Sequence, residues 1–257
     1  MAEIRTTPDR SSGQNAPTAP LLGILGGMGP LASAEFVRTL YECNLANREQ
    51  DMPRCVLYSD PTIPDRTEAI RQGTPGPVVD RLEQALSDLA RLGVDRIVVP
   101  CVTAHHFLPQ VRPDLRALVV SLVDLALDAV VSAGVPHLLF CTDGTRQAGI
   151  FQSSPRWPDA EPLVVLPGDE DQHAVHELLY KVKQGDVGED RIADVERLMG
   201  AYAVDGLIAG CTEMHLLTKK LASRGGDYHI ADPLLTVAQD LPAVISRGGL
   251  EQVGGEP

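Results

Sequence analysis

The chain has 257 residues, enough for one large domain or two smaller ones and for a proper core. Hydrophobic residues make up 44% and charged residues 22%, the balance of a globular protein rather than a disordered one. Lys+Arg total 22 against 35 Asp+Glu, a net charge of −13, which argues against nucleic acid or an anionic membrane as main partner. A small anionic substrate stays open, because two or three local cations can offset a distant negative surface.

Residues 1–20 are polar and rich in Pro, Ser and Thr, with no apolar export segment, and read as a disordered tail; residues 248–257 read the same way. Between them short β-like runs alternate with helical ones. Strands are expected at 21–25, 55–58, 97–99, 117–120, 138–141, 163–166 and 207–209. Helices are expected at 33–46, from Pro77 to Gly93, up to Ala133, at about 171–183 and 191–203, and from near Pro233. This alternation implies parallel sheets of the α/β class. No apolar run reaches the ~20 residues of a bilayer span. Five cysteines, widely spaced and without a CxxC pair, fit a reducing cytoplasm better than a disulfide framework.

One internal repeat is visible. Residues 94–101 read VDRIVVPC and residues 204–211 read VDGLIAGC, an offset of 110. Each copy follows a helix, crosses a strand and reaches a cysteine, with Thr103 or Thr212 just beyond. Two similar α/β lobes follow, each offering a thiol at the carboxyl edge of its sheet, where ligands of open α/β sheets bind. A cysteine between a strand and a helix start sits at the positive end of the helix dipole, which favours thiolate. Two of them flanking one ligand could move a proton at carbon from opposite faces, inverting stereochemistry without metal or organic cofactor. The plainer alternative is that Cys101 and Cys211 are small buried hydrophobes. Cys43, on the inner face of a helix, and Cys55, in a strand, are assigned to packing. Cys141 also ends a strand but lacks a repeat partner, and ranks below the other two.

The loop GGMGPLA (26–32) formally matches a dinucleotide fingerprint, Gly27-x-Gly29-x-x-Ala32. Pro30 removes a backbone N–H that such a loop needs, so a tight turn beside a small ligand ranks ahead of a nucleotide site. Cys101 with His105 could form a metal pair, but no closed ligand set is apparent. His105, His106 and His215 read first as helix-start histidines satisfied by backbone or solvent. Arg48, Arg54, Arg66 and Lys183 are candidates for binding a carboxylate.

The segments LLGILGGMGPLASAEF (21–36), SDPTIPDRTEAI (59–70), VPCVTAHHFLP (99–109), CTDGTRQAGIFQ (141–152), LIAGCTEMHLL (207–217) and IADPL (230–234) together resemble the aspartate/glutamate racemase family. The nearest branch is that of aspartate and broad-specificity amino-acid racemases. The resemblance implies two lobes related by a pseudo-twofold axis, with the active site between them. It implies a first lobe of 21–118 plus about 230–247, and a second of 119–229. It implies a cofactor-independent isomerase without pyridoxal phosphate or metal, working by two-thiol proton transfer, and a homodimer. Its acid/base pair would be Cys101 and Cys211. Thr103, Thr212 and Glu213 would bind substrate or orient the thiols, Met28 would line the site, and Thr145 would contact the ligand. Arg48 and Lys183 would bind the substrate carboxylate. Two departures make the pocket more apolar: Val102 replaces the Asn of the usual Cys-Asn-Thr-Ala-His, and Met52 stands where many relatives carry His. Loss of the amide contact would cost about 1–3 kcal/mol if left unsatisfied. A related isomerase, epimerase or decarboxylase acting on a less polar carboxylate or carbonyl is the alternative, with a non-enzymatic binding module last.

Overall fold

The computed structural model describes residues 19–246 and residue 250; most of the two expected tails lies outside them. Among the described residues seven strands form two parallel sheets. The first orders β2 (Arg54–Ser59), β1 (Leu21–Gly26) and β3 (Arg96–Val98); the second orders β5 (Val164–Val165), β4 (His137–Phe140), β6 (Gly206–Ala209) and β7 (His229–Ala231). Val119 bridges Ile97 in parallel and adds a rudimentary fourth position to the first sheet. Each sheet therefore runs second, first, third, fourth along its chain segment. Each repeated cysteine follows the third strand, and the sequence repeat is a repeat of topology.

Side chains on a strand alternate between faces, and the core follows that period. On β4, Leu139 faces a central cluster while Leu138 and Phe140 face an outer one; on β6, Ile208 faces inward and Leu207 and Ala209 outward. Leu22, Ile24 and Val98 of the first sheet join the same central cluster. Leu25, Ile97 and Val99 pack outward against the helix Gly76–Arg91. Helices Leu122–Ala133 and Pro233–Gln239 fill the centre, with Leu122, Leu127, Val130, Leu234 and Val237 wholly buried. The two sheets thus share one apolar middle layer, while each keeps an outer layer of its own.

Several expectations shift. The 117–120 strand is reduced to the bridge at Val119, because Pro113–Arg116 winds one helical turn just before it. The division at residue 230 would cut through β7, which pairs with β6 in the second sheet. Residue 119 bridges the first sheet rather than the second. Cys43 is exposed at the end of helix Pro30–Cys43 rather than on its inner face. Cys141 has the parity of Leu139 and packs into the middle layer, and burial pushes its thiol up to about 12. Among the described residues no helix is long and apolar enough to cross a membrane.

Candidate active site

Both repeated cysteines open onto one small cavity of about 10 Å³ between the sheets. Met28, Asp65, Arg66, Thr67, Cys101, Val102, Thr103, Lys183, Cys211, Thr212 and Glu213 line it. Cys101 and Cys211 are buried, each in extended backbone at the start of a 3₁₀ turn. The two occupy equivalent places: Cys101 belongs to the first sheet's outer cluster and Cys211 to the second's.

The chemistry around the two sulfurs differs. The Cys211 thiol donates to Glu213 Oε2 at 2.9 Å. Burial, followed by the Glu213 charge, pushes the Cys211 thiol well above its ordinary range, despite the opposing pull of Lys183. The helix-start effect expected to favour thiolate is overridden there. Beside Cys101 in the cavity wall lies Arg66, close enough for its charge to act on the sulfur. Burial works against the Arg66 and Lys183 charges, but it is more than offset by the cysteine sulfurs when ionised, by Asp65 beside Arg66 and by Glu213, and both remain cations. Lys183 Nζ sits 4.3 Å from the centre of the Tyr180 ring, a cation–π contact.

The two motif threonines reach across the cleft in opposite directions. Thr212 Oγ1 donates to the carbonyl of Pro100 at 2.9 Å. Thr103 Oγ1 lies 2.8 Å from Thr145 Oγ1 and 3.2 Å from Thr142 Oγ1. These hydroxyls tie loop to loop. The GGMGP loop turns tightly, with Gly27 at φ +96°, where an added Cβ would strike the backbone of Asp60. A Cβ on Gly29 would lie 2.6 Å from Glu213 Oε1, so this glycine makes room for the carboxylate of the opposite lobe.

A match to the family described as Asp/Glu/Hydantoin racemase spans residues 25–239. The chain belongs to that family. It is 25% identical over 213 residues to the broad specificity amino-acid racemase RacX of Bacillus subtilis, across 79% of this chain and 89% of that protein. It is 30% identical over 184 residues to a glutamate racemase of Deinococcus radiodurans, across 68% of this chain and 61% of the relative. The Picrophilus torridus aspartate racemase structure superposes with a TM-score of 0.76 and 27% identity, covering 91% of this chain and 97% of that one. As a member of the racemase family the protein is an isomerase with the two-lobed α/β fold.

Most of the sequence-predicted residues meet at the cleft of this racemase fold. Met28, Cys101, Thr103, Lys183, Cys211, Thr212 and Glu213 line the cavity, and Thr145 stands behind Thr103. Arg48 does not join them: its guanidinium is exposed and forks onto Asp51. His105 is buried with both ring nitrogens against backbone groups of Cys101, Val120 and Leu122, which removes it as a metal partner for Cys101. His215 is satisfied by side chains instead, by Asp232 at 2.7 Å and Thr39 at 2.8 Å. Asp65 and Thr67 were not singled out from the sequence, and Arg66 stood only among several candidate cations. All three start the short helix Arg66–Gln72, which Asp65 caps by accepting from the Glu68 N–H.

Proposed function

We propose that the protein racemises an acidic α-amino acid, aspartate before glutamate, by passing the α-proton between Cys101 and Cys211. The observation that carries this reading is the single cavity onto which both repeated thiols open. The Cys211 thiol, held protonated on Glu213, is the proton donor for one face. Cys101, beside the Arg66 cation, is the base for the other, in the form of its thiolate. After one turnover the proton deficit has moved to Cys211, and the reverse reaction starts from there. An amino-acid α-proton is far less acidic than a thiol, so the site must stabilise the developing carbanion by several kcal/mol. Arg66 and Lys183 are the charges available for that task, and both suit a doubly carboxylated substrate. No organic cofactor or metal enters the scheme. A homodimer in the cytoplasm belongs to the same proposal, and sedimentation of the purified protein checks the assembly.

Incubation with L-aspartate or L-glutamate in D2O is the direct test. The expected result is α-deuteration together with the D-enantiomer. Neither product, from enzyme shown to be folded, would remove the proposal. Val102 in the cavity wall supports a second reading, an isomerase, epimerase or decarboxylase for a less polar carboxylate or carbonyl compound. Normal aspartate turnover that gains nothing from Val102→Asn would count against it.

A further inference from the structure

His215 lies four residues beyond Cys211, is wholly buried and opens the helix His215–Ser223. Its backbone N–H closes the 3₁₀ turn Thr212–Met214 on the carbonyls of Thr212 and Glu213. Its ring faces two side chains from other segments: Nδ1 lies 2.7 Å from Asp232 Oδ2, and Nε2 lies 2.8 Å from Thr39 Oγ1. Donor counting decides what the ring carries. Thr39 has one hydroxyl proton, which goes to the Glu35 carbonyl at 2.9 Å, so its oxygen has only lone pairs left for Nε2. Asp232 accepts from the N–H groups of Leu234 and Leu235 on Oδ1 and from Thr218 on Oδ2, the pattern of an ionised carboxylate. Among the described residues His215 is its one ion-pair partner. The Glu35 carboxylate, one turn before Thr39, is taken by Lys219. A buried anion needs a counter-charge, so Nδ1 donates to Asp232 as well. His105 has the same place after Cys101 and the opposite pattern. Its Nδ1 donates to the Cys101 carbonyl at 3.1 Å and its Nε2 accepts the Leu122 N–H at 3.2 Å, so one ring proton suffices, and burial holds its pKa below the ordinary histidine value.

We propose that His215 is a buried imidazolium that positions Glu213, and through it the Cys211 thiol, by giving one N–H to Asp232 and the other to Thr39. Helix Pro30–Cys43, which carries Thr39, starts at Gly29, the residue that makes room for Glu213 Oε1. That helix therefore meets the turn after Cys211 twice, at Glu213 in front and at His215 behind. The rear contact sets how closely the turn approaches the helix, and so the room left for the carboxylate that accepts the thiol. His215 does not line the cavity, which makes it a positioning residue. Its effect on turnover rests on the racemase reading; the state of the ring and its hold on Glu213 do not.

The test has two arms. In the wild type at neutral pH, nitrogen-15 NMR of labelled histidine should show protons on both ring nitrogens of His215 and on one nitrogen of His105. A singly protonated His215 would overturn the proposal, and no variant has to fold for this arm. The second arm removes the rear acceptor by Thr39→Val and restores it by Thr39→Ser. In Thr39→Val a displaced Glu213 no longer holds the thiol protonated. Iodoacetamide should then alkylate Cys211 about tenfold faster with Cys101 unchanged, read by mass spectrometry. Turnover should fall by a similar factor in kcat at nearly constant KM. Thr39→Ser should match the wild type. Unchanged alkylation of Cys211 in Thr39→Val, or equal acceleration at both cysteines, would overturn the proposal. A wild type that neither deuterates nor racemises amino acids, yet gives the expected NMR and alkylation results, would sink the racemase reading and leave the role of His215 standing.

Discussion

The two halves of the molecule carry the same backbone plan and opposite chemistry. Each has four strand positions in one order and a cysteine after the third, followed by a threonine that bonds across the cleft. Yet Cys101 meets a guanidinium and Cys211 a carboxylate. The repeat supplies two equivalent places, and residues outside it give the two sulfurs neighbours of opposite charge. A symmetric scaffold thereby becomes a site with a direction.

The largest effect that would break this comparison is loss of either sulfur. Cys101→Ser and Cys211→Ser should each lower racemisation by more than about 10³-fold, while exchange of the α-proton from one face persists. Chiral chromatography and proton NMR in D2O separate the two outcomes. Retention of racemisation in either variant would mean that the halves are not partners.

The next effect concerns the support beneath Cys211, where His215 meets side chains while its counterpart His105 beneath Cys101 meets backbone. Asp232 is wholly enclosed, accepting from His215, Thr218 and the N–H groups of Leu234 and Leu235. Burial alone would raise its pKa; the His215 charge and these hydrogen bonds more than offset that and hold it below the usual carboxylate range. Asp232→Asn should cost about 3–5 kcal/mol in urea unfolding at neutral pH. A depressed folded pKa gives stability that is present above the unfolded value, about 3.9, and lost as pH falls through the folded one. The gap between wild type and variant should therefore narrow below about pH 4. A gap independent of pH would contradict the charged state assigned to Asp232.

A smaller change sharpens the asymmetry directly. Gly29→Ala puts a methyl 2.6 Å from Glu213 Oε1, and the flexible carboxylate end is what must move. Turnover should fall about tenfold or more with little change in melting temperature, because the Cys211 thiol loses its acceptor. Cys211 should then alkylate faster, whereas Cys101 should not change. The smallest expected effect lies at the turn before each repeat. Gly93 has φ +74° and its equivalent Ala203 has φ +51°, the one non-glycine residue with positive φ among those described. Ala203→Gly should stabilise the protein by about 0.5–1 kcal/mol, read as a higher urea midpoint.

Most strands and the long helices were legible because their apolar periods are strong, whereas the three-residue β7 was missed. In helix Gly76–Arg91, Leu82, Leu86 and Leu89 lie wholly buried on one face. The thiol pair was legible because the repeat falls on the third strand of each sheet. Arg66 was harder to see. Its seven-residue helix buries only Ala69, so no stripe marks it. The signals present were local: Asp65 with Glu68 three residues on, and Gly73 closing the helix at φ +64°. Cys43 misled for a related reason. It ends its helix, where facing depends on where the last turn stops rather than on spacing. The pairing of Glu213 with Cys211 spans two residues, but its meeting with Gly29 joins distant segments and needed the fold.

The apolar middle layer has a consequence for how this chain can be handled. Leu22 and Ile24 from one sheet and Leu139 and Ile208 from the other share one buried cluster with the helices Leu122–Ala133 and Pro233–Gln239, so neither half owns the material that covers it. Produced as separate fragments, each would bare an oily wall several strands wide and clump. Only by reassembling around those helices would the pieces become soluble again.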